Sequence, residues 1–110
     1  MPKLCRIDIK NRKEIYEKIK EFIIEIKHKL PIKFVYLYGS FARNNIHEGS
    51  DIDLIIVGDF KEPFLKRIEK VLELTDLPIE PLVYTEREFQ QMKDENNPLI
   101  LEVLKTGKKF

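Results

Sequence analysis

Apolar residues at Ile15, Ile19, Phe22, Ile23, Ile26 and Leu30 recur at three- and four-residue intervals, which predicts an amphipathic helix of about five turns. Asn11 with Glu14 three residues on has the form of a capping box, and Pro31 stops the element. Ahead of it, Cys5, Ile7 and Ile9 alternate with Arg6 and Asp8 as in a short strand. A nearly unbroken apolar and aromatic run predicts a buried strand over 33–38. A Gly39-Ser40 turn, a short helix over 41–45 and a loop over 46–50 then lead to a second strand over 51–57. Gly58-Asp59-Phe60 breaks that strand, and Phe64, Leu65, Ile68, Val71 and Leu72 predict a second helix ending near 74–76.

Pro78 introduces a third extended run over 79–84. Thr85 with Glu88 forms a second capping-box pattern, opening a helix that carries Phe89 and Met92. Asn97-Pro98 starts a last helix, closed by Gly107. Its Leu99, Ile100, Leu101, Val103 and Leu104 cannot share one face, so part of it is expected to meet a second copy or a partner chain. The order α-β-α-β-α-β-α-α describes an α+β (mixed α/β) domain with a small sheet of about three to four strands flanked by helices.

At 110 residues the chain is expected to form one domain over 1–110. A hydrophobic share of 43% argues against disorder. No apolar run approaches a membrane span and the first residues do not resemble a signal peptide, so no membrane partner is expected. A single cysteine, Cys5, excludes an internal disulfide and points to the cytoplasm. Net charge is +1, but residues 1–50 hold 11 basic and 6 acidic residues whereas residues 51–110 hold 9 and 13. The basic excess lies mostly on the first helix, where Lys18, Lys20, Lys27 and Lys29 interleave with Glu14, Glu17, Glu21 and Glu25 as on a solvated face. Direct nucleic-acid binding is not expected from that balance.

The chemistry concentrates between Gly39 and Leu54. Gly39-Ser40 follows an apolar strand and opens a helix, so its backbone N–H groups and the Ser40 hydroxyl can hold a phosphate; alternatively Ser40 is simply an N-cap. Asp51 and Asp53, two residues apart at the head of the next strand, would project from one face. Neighbouring carboxylates repel unless a cation lies between them, and Asp53 stands directly before four apolar residues, where an uncompensated charge is costly. Mg²⁺, a hard ion that shares its shell with substrate phosphates, is the natural candidate.

Gly39-Ser40, a ten-residue spacer and Asp51-x-Asp53 between apolar stretches resemble the signature of the DNA polymerase β-like nucleotidyltransferase superfamily. Gly-Ser-Phe-Ala-Arg and Ser-Asp-Ile-Asp-Leu in so short a chain resemble its minimal nucleotidyltransferase (MNT) branch, over about residues 34–107. The resemblance implies a mixed-sheet core, transfer of a nucleoside monophosphate from ATP or another NTP to a hydroxyl acceptor, and two Mg²⁺ ions, with Mn²⁺ as a substitute. Three carboxylates would hold them: Asp51, Asp53 and an acid on a later strand. Glu80 is the candidate for that third acid, because alternation sets Glu80, Leu82 and Tyr84 on one face of the only extended run after the motif. Glu86 and Glu88 suit a helix first turn, and Asp76 suits a turn. Pro81 complicates the assignment, since it removes a ladder donor and suggests an edge strand or a bulge.

Ser50 and Arg43 join Gly39 and Ser40 as candidate phosphate contacts. Arg suits bidentate phosphate recognition, although a solvated helix residue explains Arg43 equally well. His47 reads as a bystander. Tyr36 and Tyr38 alternate with Val35 and Leu37, so at least one is expected to pack in the core. Larger relatives add a helical domain that is missing after Phe110, which implies weak nucleotide binding alone or a site completed by another subunit. MNT proteins are typically paired with a HEPN-domain toxin, which implies an antitoxin that adenylylates a toxin tyrosine. The alternatives are a non-catalytic antitoxin acting by complex formation, and a nucleotidyltransferase for small molecules.

Overall fold

A computed structural model describes residues 12–39 and 52–110. Its elements are α1 (Arg12–Lys29), β1 (Ile32–Tyr38), β2 (Ile52–Gly58), α2 (Phe64–Leu72), β3 (Ile79–Thr85), α3 (Glu86–Asp94), α4 (Pro98–Thr106) and β4 (Lys108–Lys109). The sheet order is β3-β2-β1-β4, with β2 and β3 parallel and the other pairs antiparallel. This is the α+β order that the pattern predicts, with the mixed sheet that the resemblance implies. Two differences are local: β4 is an additional strand, and α2 ends at Leu72, slightly earlier than expected. The predicted strand over 5–9, the Asn11 cap and the short helix over 41–45 lie outside the described residues.

The period-two alternation of the strands sorts their side chains onto two helical layers. Val35 and Leu37 of β1, Ile52, Leu54 and Ile56 of β2, and Ile79 and Val83 of β3 pack with Ile19, Phe22, Ile23 and Ile26 of α1 and Val71 of α2. The opposite face sets Ile55 and Val57 against Phe89 of α3 and Ile100 and Val103 of α4, with Phe34, Tyr36, Tyr38, Leu82 and Tyr84 at its margin. Phe89 meets Phe34 edge-on at 5.4 Å and stacks on Tyr36 at 6.2 Å, which clamps α3 to the sheet. β2 is thus buried on both faces, which is why 54–57 reads as a continuous apolar run.

Local signals fix the helix starts. The Thr85 hydroxyl accepts from Glu88 N while the Glu88 carboxylate accepts from Thr85 N, the full capping box. Asn97 caps α4 through Leu99 N and Ile100 N, with Pro98 in the first helical position. On α4, Ile100 and Val103 are buried while Leu101 and Leu104 stay exposed, the two-faced distribution expected from its sequence.

Pro81 proves compatible with β3. The strand is at the edge of the described sheet, its register with β2 runs without a bulge, and Pro78 O already accepts from Ile52 N toward β2. Residues of the same parity (Glu80, Leu82, Tyr84) direct their backbone groups to β2, so Pro81 faces outward and costs no ladder bond. Two residues on, the outward Val83 carbonyl accepts from Arg67 Nη1 at 3.2 Å. Arg67, only 7% exposed, also donates to Glu62 O and pairs with Glu88 at 2.7 Å, tying α2, β3 and α3 together.

Candidate active site

β1 ends where β2 and β3 begin, and this shared sheet edge gathers the described candidate residues. Asp53 is the antiparallel register partner of Tyr38 and the parallel register partner of Glu80. Directly opposed residues project from the same face. Tyr38, Asp53 and Glu80 therefore form one row across three strands, at a strand spacing of about 4.8 Å. The row stands on the α3–α4 face, at the end of the apolar layer built from Ile55, Val57 and Phe89. Asp53 is half-buried and Glu80 exposed, so the row runs from the packed interior out to solvent.

Gly39 closes the row from the side. Its φ of +74° lies in the left-handed region, which glycine adopts without penalty. Its missing side chain matters as much: a Cβ there would overlap Asp53 Oδ2 and lie 3.3 Å from the Asp53 carboxyl carbon. The glycine thus both turns the chain and makes room for the carboxylate. Ser40, Arg43, Ser50 and Asp51 lie outside the described residues, as does His47.

Tyr38 was legible in the sequence only as a packing residue. Its ring lies against the apolar layer, but its hydroxyl belongs to the acidic row electrostatically. Burial first, then the charges of Asp53, Tyr84 and Glu80, push its pKa up to about 12, so it stays an O–H donor across the physiological range. The signal that could have found it is its parity with Phe34 and Tyr36 together with its place one residue before Gly39; the cross-strand register was also needed.

Asp53 and Glu80 supply oxygen donors of the kind that Mg²⁺ or Mn²⁺ prefers, on adjacent strands and with one member open to solvent. Among the described residues no group of three potential metal-binding side chains is assembled; Asp51, the further carboxylate of the sequence motif, is outside them. The donor set fits a hard divalent cation.

Such a fold, a small mixed sheet with acids at one strand edge behind a glycine turn, is that of a nucleotidyltransferase. Residues 17–110 match the family model described as Polymerase beta, Nucleotidyltransferase, and the chain belongs to that family. The Methanocaldococcus jannaschii protein named "Putative protein adenylyltransferase MJ0126" is 41% identical over 71 residues, covering 63% of this chain and 70% of the relative. A second M. jannaschii protein, "Putative protein adenylyltransferase MJ0141", is 38% identical over 81 residues, covering 64% and 80%. Among solved structures, "a putative nucleotidyltransferase from Sulfolobus solfataricus" superposes with a TM-score of 0.62 at 26% identity, covering 78% of this chain and 80% of that one. A chain of a toxin–antitoxin crystal structure with AMP-PNP shares the fold at a TM-score of 0.58 and 20% identity, covering 81% and 69%. Among the described residues no helix is long and apolar enough to cross a membrane.

Proposed function

We propose that residues 1–110 form a single cytoplasmic nucleotidyltransferase domain that transfers AMP from ATP to a hydroxyl acceptor. We take that acceptor to be a tyrosine of a HEPN-domain toxin, which the protein neutralises as an antitoxin. The observation that carries the transfer reading is the side-by-side placement of Asp53 and Glu80 behind Gly39, in a chain of the nucleotidyltransferase family. A protein acceptor is supported by the names of the M. jannaschii relatives, and the HEPN partner by the resemblance of the Gly39–Leu54 motif to MNT proteins.

In this reading Asp51, Asp53 and Glu80 hold Mg²⁺, and Gly39, Ser40, Ser50 and Arg43 bind the nucleotide phosphates. The bound metal supplies positive charge that stabilises the α-phosphate and the departing pyrophosphate. The acceptor oxygen forms a bond to the α-phosphorus as the bond from that phosphorus to the bridging oxygen of the β-phosphate breaks, and pyrophosphate leaves. Glu80, the most exposed member of the row, takes the acceptor's proton.

The test is incubation with α-labelled ATP, Mg²⁺ and the co-encoded neighbouring protein, followed by intact mass measurement. Gain of one AMP mass on the neighbour, lost in Asp53→Asn, is the expected result. A stable complex without transfer from any of the four NTPs overturns the catalytic reading in favour of neutralisation by binding alone.

A further inference from the structure

The row contains a group that the transfer reading leaves without a task. Tyr38 is the last residue of β1, directly before Gly39, and stands opposite Asp53 on the face that also carries Glu80. Its ring is held by the apolar layer with Leu82 and Tyr84. Phenylalanine would satisfy that packing equally well. The hydroxyl is what needs explaining, since it is the neutral hydrogen-bond donor of a row whose other two members are carboxylates.

An anionic nucleotide entering this edge meets two acids. Charge held by a cation offsets part of the repulsion, but phosphate oxygens also need directional donors. A phenol on a short, ring-stiffened side chain, anchored on a strand, supplies one at little entropic cost. The backbone leaving Tyr38 enters the Gly39 turn at once, so this donor and the phosphate turn are covalent neighbours.

We propose that the Tyr38 hydroxyl donates a hydrogen bond to a non-bridging α-phosphate oxygen of the nucleotide. This role rests on the nucleotidyl-transfer reading and adds to it a substrate-contacting residue outside the acidic and Gly-Ser motifs.

The experiment compares wild type and Tyr38→Phe with ATP and with the two α-phosphorothioate diastereomers, in which sulfur replaces one non-bridging oxygen at a time. With ATP, Tyr38→Phe is expected to lower kcat/KM roughly 10- to 100-fold, the size of a lost hydrogen bond to a charged group. Binding of α,β-methylene-ATP, followed by calorimetry, should weaken in parallel, with the melting temperature close to that of wild type. With one diastereomer the loss should shrink several-fold, because sulfur has already weakened the same contact; such non-additivity marks a direct interaction. Equal losses on ATP and both diastereomers, or no loss on any, overturn the assignment while leaving nucleotidyl transfer standing. If wild type neither transfers the nucleotide nor binds the analogue, the transfer reading falls and the Tyr38 role with it.

Discussion

Gly39 leaves space for Asp53: the carboxylate of one occupies the position that a side chain on the other would need. The positive φ at Gly39 adds a backbone requirement to this steric one. Gly39→Ala is therefore expected to cost about 1–2 kcal/mol of stability from the left-handed backbone alone. Transfer should fall further than stability does, because the displaced group is Asp53. Denaturant unfolding and label transfer measured on the same preparation compare the two losses.

Asp53→Asn keeps the shape of the side chain and removes its charge. Transfer is expected to drop by roughly 10²–10⁴-fold. Addition of Mg²⁺ or Mn²⁺ should raise the melting temperature of wild type and leave Asp53→Asn nearly unmoved. An equal metal-induced shift in both proteins counts against the row as the metal site.

Arg67 is buried while its partner Glu88 is partly open to solvent. Burial alone raises the Glu88 pKa, but hydrogen bonds from Arg67 and from the Thr85 backbone, with the Arg67 charge, outweigh it and hold the value below the usual carboxylate range. A carboxylate depressed in the folded state contributes stability above its unfolded pKa and loses it as pH falls through the folded value. Acid unfolding of Glu88→Gln should accordingly show a shallower dependence on pH below about 4.5. Arg67→Ala removes the donor to Val83 O and Glu62 O as well, and is expected to cost about 2–3 kcal/mol at neutral pH by urea unfolding.

Tyr38 titrates at the opposite end of the scale. Its folded pKa of about 12 exceeds the ordinary value of 10.0, so the folded state holds its proton longer than the unfolded chain. Stability from this group is intact below pH 10 and declines as pH rises toward 12. Ultraviolet titration in metal-free buffer should show a tyrosine ionising about two units late, and Tyr38→Phe should remove it. A phenol titrating normally at this position means that neither burial nor the acidic row perturbs it.

The helices and three long strands were readable because each owes its position to a local period or cap. Ile19, Ile23 and Ile26 share a helix face, Thr85 and Glu88 form a cap within four residues, and 54–57 is apolar because both faces are covered. β4 left no such trace. Lys108 and Lys109 carry no apolar period, and they become a strand because the chain leaving α4 lies along β1, where Phe110 N donates to Val35 O at 2.7 Å. Arg67 reads as an ordinary polar residue of α2, since its partner Glu88 is 21 positions away. The acids at 53 and 80 could be singled out by position, but their adjacency is a matter of register, which no spacing within one strand encodes.

Both margins of the described sheet carry features that disfavour further pairing. On one side Pro81 offers no N–H and the Arg67 guanidinium occupies the Val83 carbonyl; on the other, β4 is two residues long and both are lysines. These are devices by which sheets avoid joining edge to edge. Among the described residues, these features disfavour a partner's adding a strand at either margin. At these margins recognition is expected to run through side chains, and the same features oppose edge-to-edge stacking of the described sheet into cross-β fibres.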